Sequence, residues 1–223
     1  MIPPRLVLLD FDGTLGDSRG WALHAVNAAA ERFGYAPLSV AEAEALRSQG
    51  TSAILARLGL RPWHIPRLVA HLRKAASEAD PSALFPGVPA LLKSLQEAGI
   101  RLALVTSNSE FNVRRALGAE HAARITDWAC DASLFGKARK FRSVLRQAGC
   151  APADAFAIGD ETRDVAAARV AGIRIGAVAW GYASIAALEA EAPDVLFRSM
   201  AEIPAFLGLQ PMRAAPAGDT QAS

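Results

Sequence analysis

A run of apolar residues, Leu6-Val7-Leu8-Leu9, stops abruptly at Asp10-Phe11-Asp12-Gly13-Thr14-Leu15. Four consecutive apolar positions without polar alternation predict a strand buried on both faces, the kind found in parallel sheets covered by helices. Two carboxylates one residue apart then stand at the strand's C-terminal end, and Gly13 permits a tight turn directly after them. Open α/β sheets bind their ligands at that edge. One of these acids also suits the cap of a following helix, with the other on the surface, so the pair alone assigns no role.

From Gly16 to about Pro81 the chain reads as helix after helix with no buried strand. Trp21, Ala22, Ala25, Val26, Ala29 and Phe33 recur at helical spacing up to Gly34. Ser39 opens a second helix through Arg47, ended by Gly50, and Thr51-Ser52 opens a third that carries Ile54, Leu55 and Leu58 to Gly59. Pro66 sits in the first turn of a fourth, running with Leu68, Val69 and Leu72 toward Ala79. The organisation predicted is an α/β core of residues 1–15 and 82–209, with an all-helical insert of residues 16–81 placed to cover the acidic turn. Residues 210–223 have little to bury and read as a disordered tail.

Further strand ends carry polar groups. Ile100 to Val105 is a second buried strand, and it ends in Thr106-Ser107-Asn108-Ser109, where one residue can cap a helix while another faces the loop. A weaker strand lies between about Ile125 and Asp131. Gly136-Lys137-Ala138-Arg139-Lys140 then leads a helix whose apolar stripe is Phe141, Val144, Leu145 and Ala148; Lys137 falls on that stripe and Lys140 nearer its edge. A lysine in a first helical turn opposes the macrodipole, so a negative group such as a bound phosphate would compensate it; a solvated basic helix start is the alternative.

Ala155 to Gly159 forms the next strand and ends in Asp160-Glu161-Thr162-Arg163-Asp164. Asp160 stands at the strand tip and Asp164 one turn into the helix, facing the same way. Acids at a helix start are favourable by themselves, yet this many near Asp10 and Asp12 repel one another unless a cation sits among them. Ile175 to Ala179 is a fifth strand, followed by Trp180-Gly181-Tyr182, whose aromatic rings read as packing groups. Val195-Leu196-Phe197 fits an edge strand. The fold class is α/β, a doubly wound, mainly parallel, Rossmann-like sheet with the helical insert as a cap.

The string Asp-Phe-Asp-Gly-Thr-Leu resembles the first motif of the haloacid dehalogenase superfamily of phosphohydrolases. Thr106 matches the second motif, Lys137 the third, and Asp160 with Asp164 the fourth, in order, from Leu6 to about Tyr182. Within that superfamily the insert position, Phe85-Pro86-Gly87-Val88 and the Gly-Tyr ending look like the phosphoglycolate phosphatase group. The resemblance implies a phosphomonoester hydrolase with Asp10 as nucleophile and Asp12 as general acid and base. Thr106, Ser107 and Lys137 would then hold the phosphoryl group. It further implies Mg²⁺ ligated by Asp10, the Asp12 carbonyl and Asp160, with Asp164 acting directly or through water, Asn108 and Glu161 as substrate-contact or outer-shell residues, and a small phosphorylated metabolite, 2-phosphoglycolate first, as substrate. Arg47, in the insert, is placed either to pair a substrate carboxylate or as a surface arginine at a helix end.

Rival readings have discriminating features. A sugar phosphomutase shares every core residue but needs a bisphosphate cofactor, and a phosphatase for sugar phosphates or nucleotides differs only in cap contacts. A receiver-type domain also phosphorylates an aspartate, but lacks a cap and splits its acids between strands. A regulatory protein with a dead site would not keep all the motif residues. Net charge is +2, and no basic run interleaved with aromatics argues for nucleic acid. No stretch suits a membrane span, and the N-terminal sequence has no signal-peptide pattern, so the cytoplasm is expected. Cys130 and Cys150 lack disulfide or zinc spacing, and oligomeric state is not legible.

Overall fold

The computed structural model describes residues 3–131 and 136–209. The tail expected from residue 210 onward lies outside them. Among the described residues, eight strands occur in chain order as β1 (Leu6–Leu9), β2 (Gly16–Asp17), β3 (Ala83–Leu84), β4 (Arg101–Val105), β5 (Asp127–Ala129), β6 (Ala155–Gly159), β7 (Arg174–Val178) and β8 (Val195–Phe197). Six of them build one sheet in the order β5-β4-β1-β6-β7-β8, and every pairing in it is parallel. β1 is central. The chain moves to β4 on one side of it and to β6 on the other, which makes its C-terminal end the switch point where α/β sheets open a crevice.

Register fixes what meets there. Leu9 lies opposite Leu104 of β4 and Ile158 of β6. Asp10 therefore leaves the sheet level with Val105 and Gly159, one residue before Thr106 and Asp160.

The insert comprises α1 (Arg19–Ala28), α2 (Ala30–Phe33), α3 (Val40–Leu46), α4 (Gly50–Arg57) and α5 (Ile65–Glu78), with a short 3-10 turn at Pro62–His64. It has its own buried cluster of Ala29, Ala30, Tyr35, Leu38, Leu58 and Leu68. Asn27 pins the α2–α3 connection by donating to the Leu38 carbonyl at 2.7 Å and accepting from its N–H at 2.8 Å. Two details differ from the sequence reading. Gly50 opens α4 instead of closing the helix before it, because α3 already ends at Leu46 and the chain turns through Arg47–Gln49. The segment after Leu15 also begins with a strand: β2 pairs antiparallel with β3, a two-residue ribbon at the neck of the insert, too short to show any periodicity.

The remaining helices cover the sheet on both faces: α6 (Val88–Glu97), α7 (Glu110–Ala122), α8 (Lys137–Ala148), α9 (Thr162–Ala171), α10 (Ile185–Ala190) and α11 (Glu202–Phe206). Val7, Leu9, Leu102, Leu104, Phe156 and Ile158 pack with α6, α7 and α11. Leu6, Leu8, Ala103, Val105, Ala155 and Ala157 pack with α8, α9 and α10 on the other side. Alternate residues of one strand thus serve opposite cores, which is why no polar position interrupts the sequence of β1. Among the described residues, no helix is long and apolar enough to cross a membrane.

Candidate active site

The turn after β1 is tightly wound. Phe11 donates its N–H to Asp10 Oδ1 at 2.8 Å, and the Phe11 carbonyl accepts from Leu15 and Gly16 at 2.9 and 2.8 Å. Gly13 has φ +78°, and a Cβ there would lie 2.2 Å from Asp160 Oδ2. Both the backbone conformation and the space demand glycine.

Asp10, Lys137, Asp160 and Asp164 are all buried. Lys137, the first residue of α8, places Nζ 2.6 Å from Asp10 Oδ2 and 2.6 Å from Asp164 Oδ1. Lys140 turns away, its Nζ 3.4 Å from the Cys130 carbonyl. Asp164 uses its other oxygen, Oδ2, to accept the N–H groups of Asp160 and Glu161 at 3.1 and 3.0 Å, so the first turn of α9 is closed by its own acid. Asp160 is held by Thr14 Oγ1 at 2.8 Å and by the Tyr182 N–H at 2.7 Å. Gly181 packs on it so closely that a Cβ would lie 2.2 Å from Asp160 Cβ.

The charges are unbalanced. Burial pushes the Asp10 carboxyl up to about 6, although Lys137 opposes the shift. Asp160 is raised well above the ordinary carboxylate range by burial and then by Asp10, Glu161 and Asp164. For Asp164, burial acts upward, but Lys137 and Arg163 outweigh it and hold the group low. Glu161 is buried beside Arg163, whose guanidinium donates to Glu161 Oε1 through Nε at 2.9 Å.

Asp12 is half-buried on the other side of the turn. Asn108 Nδ2 donates to its two oxygens at 3.0 and 3.3 Å. Burial raises its carboxyl against hydrogen bonds from Ser18 and Asn108. Thr106 is fully buried, and its Oγ1 accepts the Asn108 N–H at 3.1 Å; among the described residues its own hydroxyl proton goes to no protein group. Ser107 contributes its carbonyl, which accepts from Arg73 Nε and Nη2 of the insert at 3.0 and 2.6 Å.

Comparison with known proteins assigns the scaffold. The family described as haloacid dehalogenase-like hydrolase matches residues 7–178. The chain belongs to this family. It is 33% identical over 201 residues to a phosphoglycolate phosphatase of Synechococcus elongatus, covering 89% of this chain and 95% of that one. Among solved structures, CbbY from Rhodobacter sphaeroides in complex with phosphate superposes with a TM-score of 0.71 at 26% identity, over 92% of this chain and all of that one. A haloacid dehalogenase-like family hydrolase from Streptococcus pneumoniae superposes at 0.74 and 24% identity, over 92% and 98% of the two chains, and so shares the fold.

The residues of this haloacid dehalogenase-like hydrolase suit a divalent cation. Asp10, Asp160 and Asp164 each offer a carboxylate oxygen, and the three oxygens lie within 4.8 Å of one another. Buried oxygen donors carrying more negative charge than Lys137 and Arg163 balance are what a hard cation selects.

Arg47, the insert's candidate for a substrate carboxylate, has protein partners in the core. Its guanidinium donates to the carbonyls of Tyr182, Gly181 and Ala183 at 2.9, 3.0 and 3.3 Å, and it pairs with Glu44. Sequence reasoning passed over Thr14, Arg163 and the Tyr182 amide. Thr14 stood inside the first motif, where a hydroxyl after a glycine reads as turn chemistry. The Tyr182 contribution is main chain, which no side-chain pattern reveals. Tyr182 and Trp180 do pack as the sequence suggests: the Tyr182 hydroxyl meets Ser18 Oγ at 3.0 Å, and Trp180 Nε1 donates to the Thr14 carbonyl at 3.1 Å.

Proposed function

We propose that this chain hydrolyses a small phosphate monoester, with 2-phosphoglycolate as the physiological substrate, in a magnesium-dependent reaction through a phosphorylated Asp10. The observation that carries the chemistry is the convergence of Asp10, Asp160 and Asp164 on one point, with Lys137 Nζ 2.6 Å from Asp10. The substrate rests on the Synechococcus elongatus relative, a phosphoglycolate phosphatase across nearly its whole length.

Phosphate hydrolysis is slow because an anionic phosphoryl group repels an incoming nucleophile, so a site must supply fixed positive charge and a positioned attacker. Asp10, Asp160 and Asp164 would hold Mg²⁺, which supplies charge neutralisation when bound. Lys137 adds a second cation at the same place. Asp10 Oδ2 attacks phosphorus, and the ester bond to the leaving alcohol breaks as the aspartyl phosphate forms. Asp12, whose raised carboxyl retains a proton more readily than an exposed acid, gives that proton to the leaving oxygen and later takes one from the water that clears the intermediate. The Thr106 hydroxyl donates to a phosphoryl oxygen, while Asn108 Nδ2 holds Asp12 in place.

The test is phosphate release, with and without Mg²⁺, from a panel of 2-phosphoglycolate, sugar phosphates and nucleotides. A magnesium-dependent preference for 2-phosphoglycolate is expected, with turnover lost in Asp10→Asn and phosphoenzyme accumulating in Asp12→Asn. Wild-type activity in Asp10→Asn refutes the mechanism. Equal rates across the panel refute the substrate, and turnover only with an added sugar bisphosphate indicates a mutase.

A further inference from the structure

The peptide unit joining Gly181 to Tyr182 is gripped at both ends. Its carbonyl accepts from Arg47 Nη2 at 3.0 Å, and its N–H donates to Asp160 Oδ2 at 2.7 Å. A guanidinium, a peptide dipole and a carboxylate therefore stand in series. A charged donor on the carbonyl polarises the amide and strengthens what its N–H gives to the acid beyond. The grip is not a single contact: Arg47 Nε reaches the Tyr182 carbonyl at 2.9 Å, and the Ser184 N–H returns to the Arg47 carbonyl at 3.2 Å.

The two ends belong to different parts of the molecule. Arg47 caps the C-terminus of α3 in the helical insert, whereas Asp160 terminates β6 at the centre of the sheet. The insert is also closed down. The cleft between insert and core beside Asp12, lined also by Trp21, Asn108 and Asn112, is narrow, about 20 Å³, room for about one water molecule. Lifting the insert from the core would break the Arg47 bonds to residues 181–183.

We infer that Arg47 is a positioning residue that couples closure of the helical insert to the alignment of Asp160, acting through the Gly181–Tyr182 peptide. With the insert down, the Asp160 carboxylate is fixed by the polarised amide and by Thr14; with it up, residues 181–183 lose their outer tether and Asp160 loses part of its hold. Cation binding and closure thereby favour each other. This inference rests on the proposed role of Asp160 as a cation ligand.

The experiment compares wild type with Arg47→Ala, Arg47→Lys and, as a control inside the insert, Arg57→Ala, which removes only the exposed pair with Glu42. Two readouts are taken without substrate: amide hydrogen exchange of residues 180–184, and Mg²⁺ affinity by calorimetry. Exchange in Arg47→Ala is expected to speed up about tenfold in that segment alone, with strands β6 and β7 unchanged, and Mg²⁺ affinity to fall about tenfold, as for other residues that orient a ligand. Arg47→Lys, which can reach one carbonyl but not three, restores part of both, and Arg57→Ala changes neither. Unchanged exchange and affinity in Arg47→Ala overturn the inference, as does an equal effect from Arg57→Ala. If Arg47→Ala does not fold, Arg47→Lys decides on the same readouts. A wild type that binds no Mg²⁺ overturns the metal reading instead, and the exchange result still reports on the clasp.

Discussion

Asn108 Nδ2 donates to both carboxylate oxygens of Asp12, at 3.0 Å to Oδ2 and 3.3 Å to Oδ1. The amide fixes the direction the Asp12 carboxyl faces, which in the proposed mechanism is the direction in which it passes a proton. Asp12→Asn is expected to lower kcat by about 10²–10⁴ on alkyl phosphates, the range for a general acid, and Asn108→Ala by less. In single-turnover phosphoenzyme formation, the step that precedes the accumulating intermediate, the deficit should shrink on 4-nitrophenyl phosphate, whose leaving group needs no proton. Equal deficits on the two substrates in that phosphorylation step would exclude leaving-group protonation by Asp12.

Lys137 separates two buried acids that otherwise face each other. Removing one member of a buried charge network leaves the others uncompensated, at a cost of about 3 kcal/mol. Denaturant unfolding of metal-free Lys137→Met at pH 7 should show that loss, and saturating Mg²⁺ should recover part of it. A loss unaffected by Mg²⁺ would mean that the acids do not hold the ion.

The metal site should compete with protons. Because the Asp10 carboxyl is pushed up to about 6, it is largely protonated below that pH, and a cation must displace the proton to bind. Apparent Mg²⁺ affinity is therefore expected to fall as pH drops below 6, by about tenfold per unit for each proton displaced. Calorimetry in buffers of different ionisation enthalpy measures that release directly. An affinity flat from pH 5 to pH 7 contradicts it.

Away from the site, Asp127 accepts from Arg101 Nε and Nη2 at 2.6 and 2.7 Å and from Thr126 Oγ1 at 2.8 Å. Burial alone would raise its carboxyl, but these donors outweigh it and hold the group below its ordinary range. A lowered folded pKa means that the stabilisation is complete above the unfolded value, near pH 4, and is lost as pH falls through the folded one. The Arg101 side chain is 40% exposed, so solvent screening keeps the pair to about 1 kcal/mol. Asp127→Asn should lose that much at pH 7 and converge on wild type in strong acid, as thermal unfolding across pH would record.

Gly181 gives a steric test of the loop against Asp160. Its added Cβ would lie 2.4 Å from Asp160 Oδ2, so Gly181→Ala must displace the carboxylate or the loop. Mg²⁺ affinity should fall about tenfold or more, the scale of changes around a metal ligand. A variant with wild-type affinity would show that the loop yields without moving Asp160.

Much of the core was legible because its signals are local. An apolar run ending in acids marks a strand and its tip within ten residues, so β1, β4 and β6 and their terminal groups Asp10, Thr106 and Asp160 could be located one by one. Helical spacing located Lys137 on the buried side of α8, because a stripe of Phe141, Val144 and Leu145 fixes which way the first turn faces. The insert was legible as helices but not in detail: Gly50 reads as a terminator by composition, yet it opens a helix here because α3 stops earlier. Strands of two residues such as β2 and β3 leave no periodic trace.

What the sequence determined by itself was the order and chemistry of the groups: acids, hydroxyl, lysine, acids, each at the end of an element whose period is written in neighbouring residues. The tertiary structure decided how those groups divide their bonds. Only the parallel register of β1 with β4 and β6 brings Asp10 level with its partners, and only folding reveals that Lys137 is shared by two acids and that a main-chain amide holds Asp160. Arg47, read from sequence as a surface arginine or a substrate contact, is spent on three carbonyls about 135 positions away. The physical reason is that periodicity encodes which face a residue occupies. It carries no record of a long-range hydrogen bond, whose acceptor is a backbone carbonyl common to every residue.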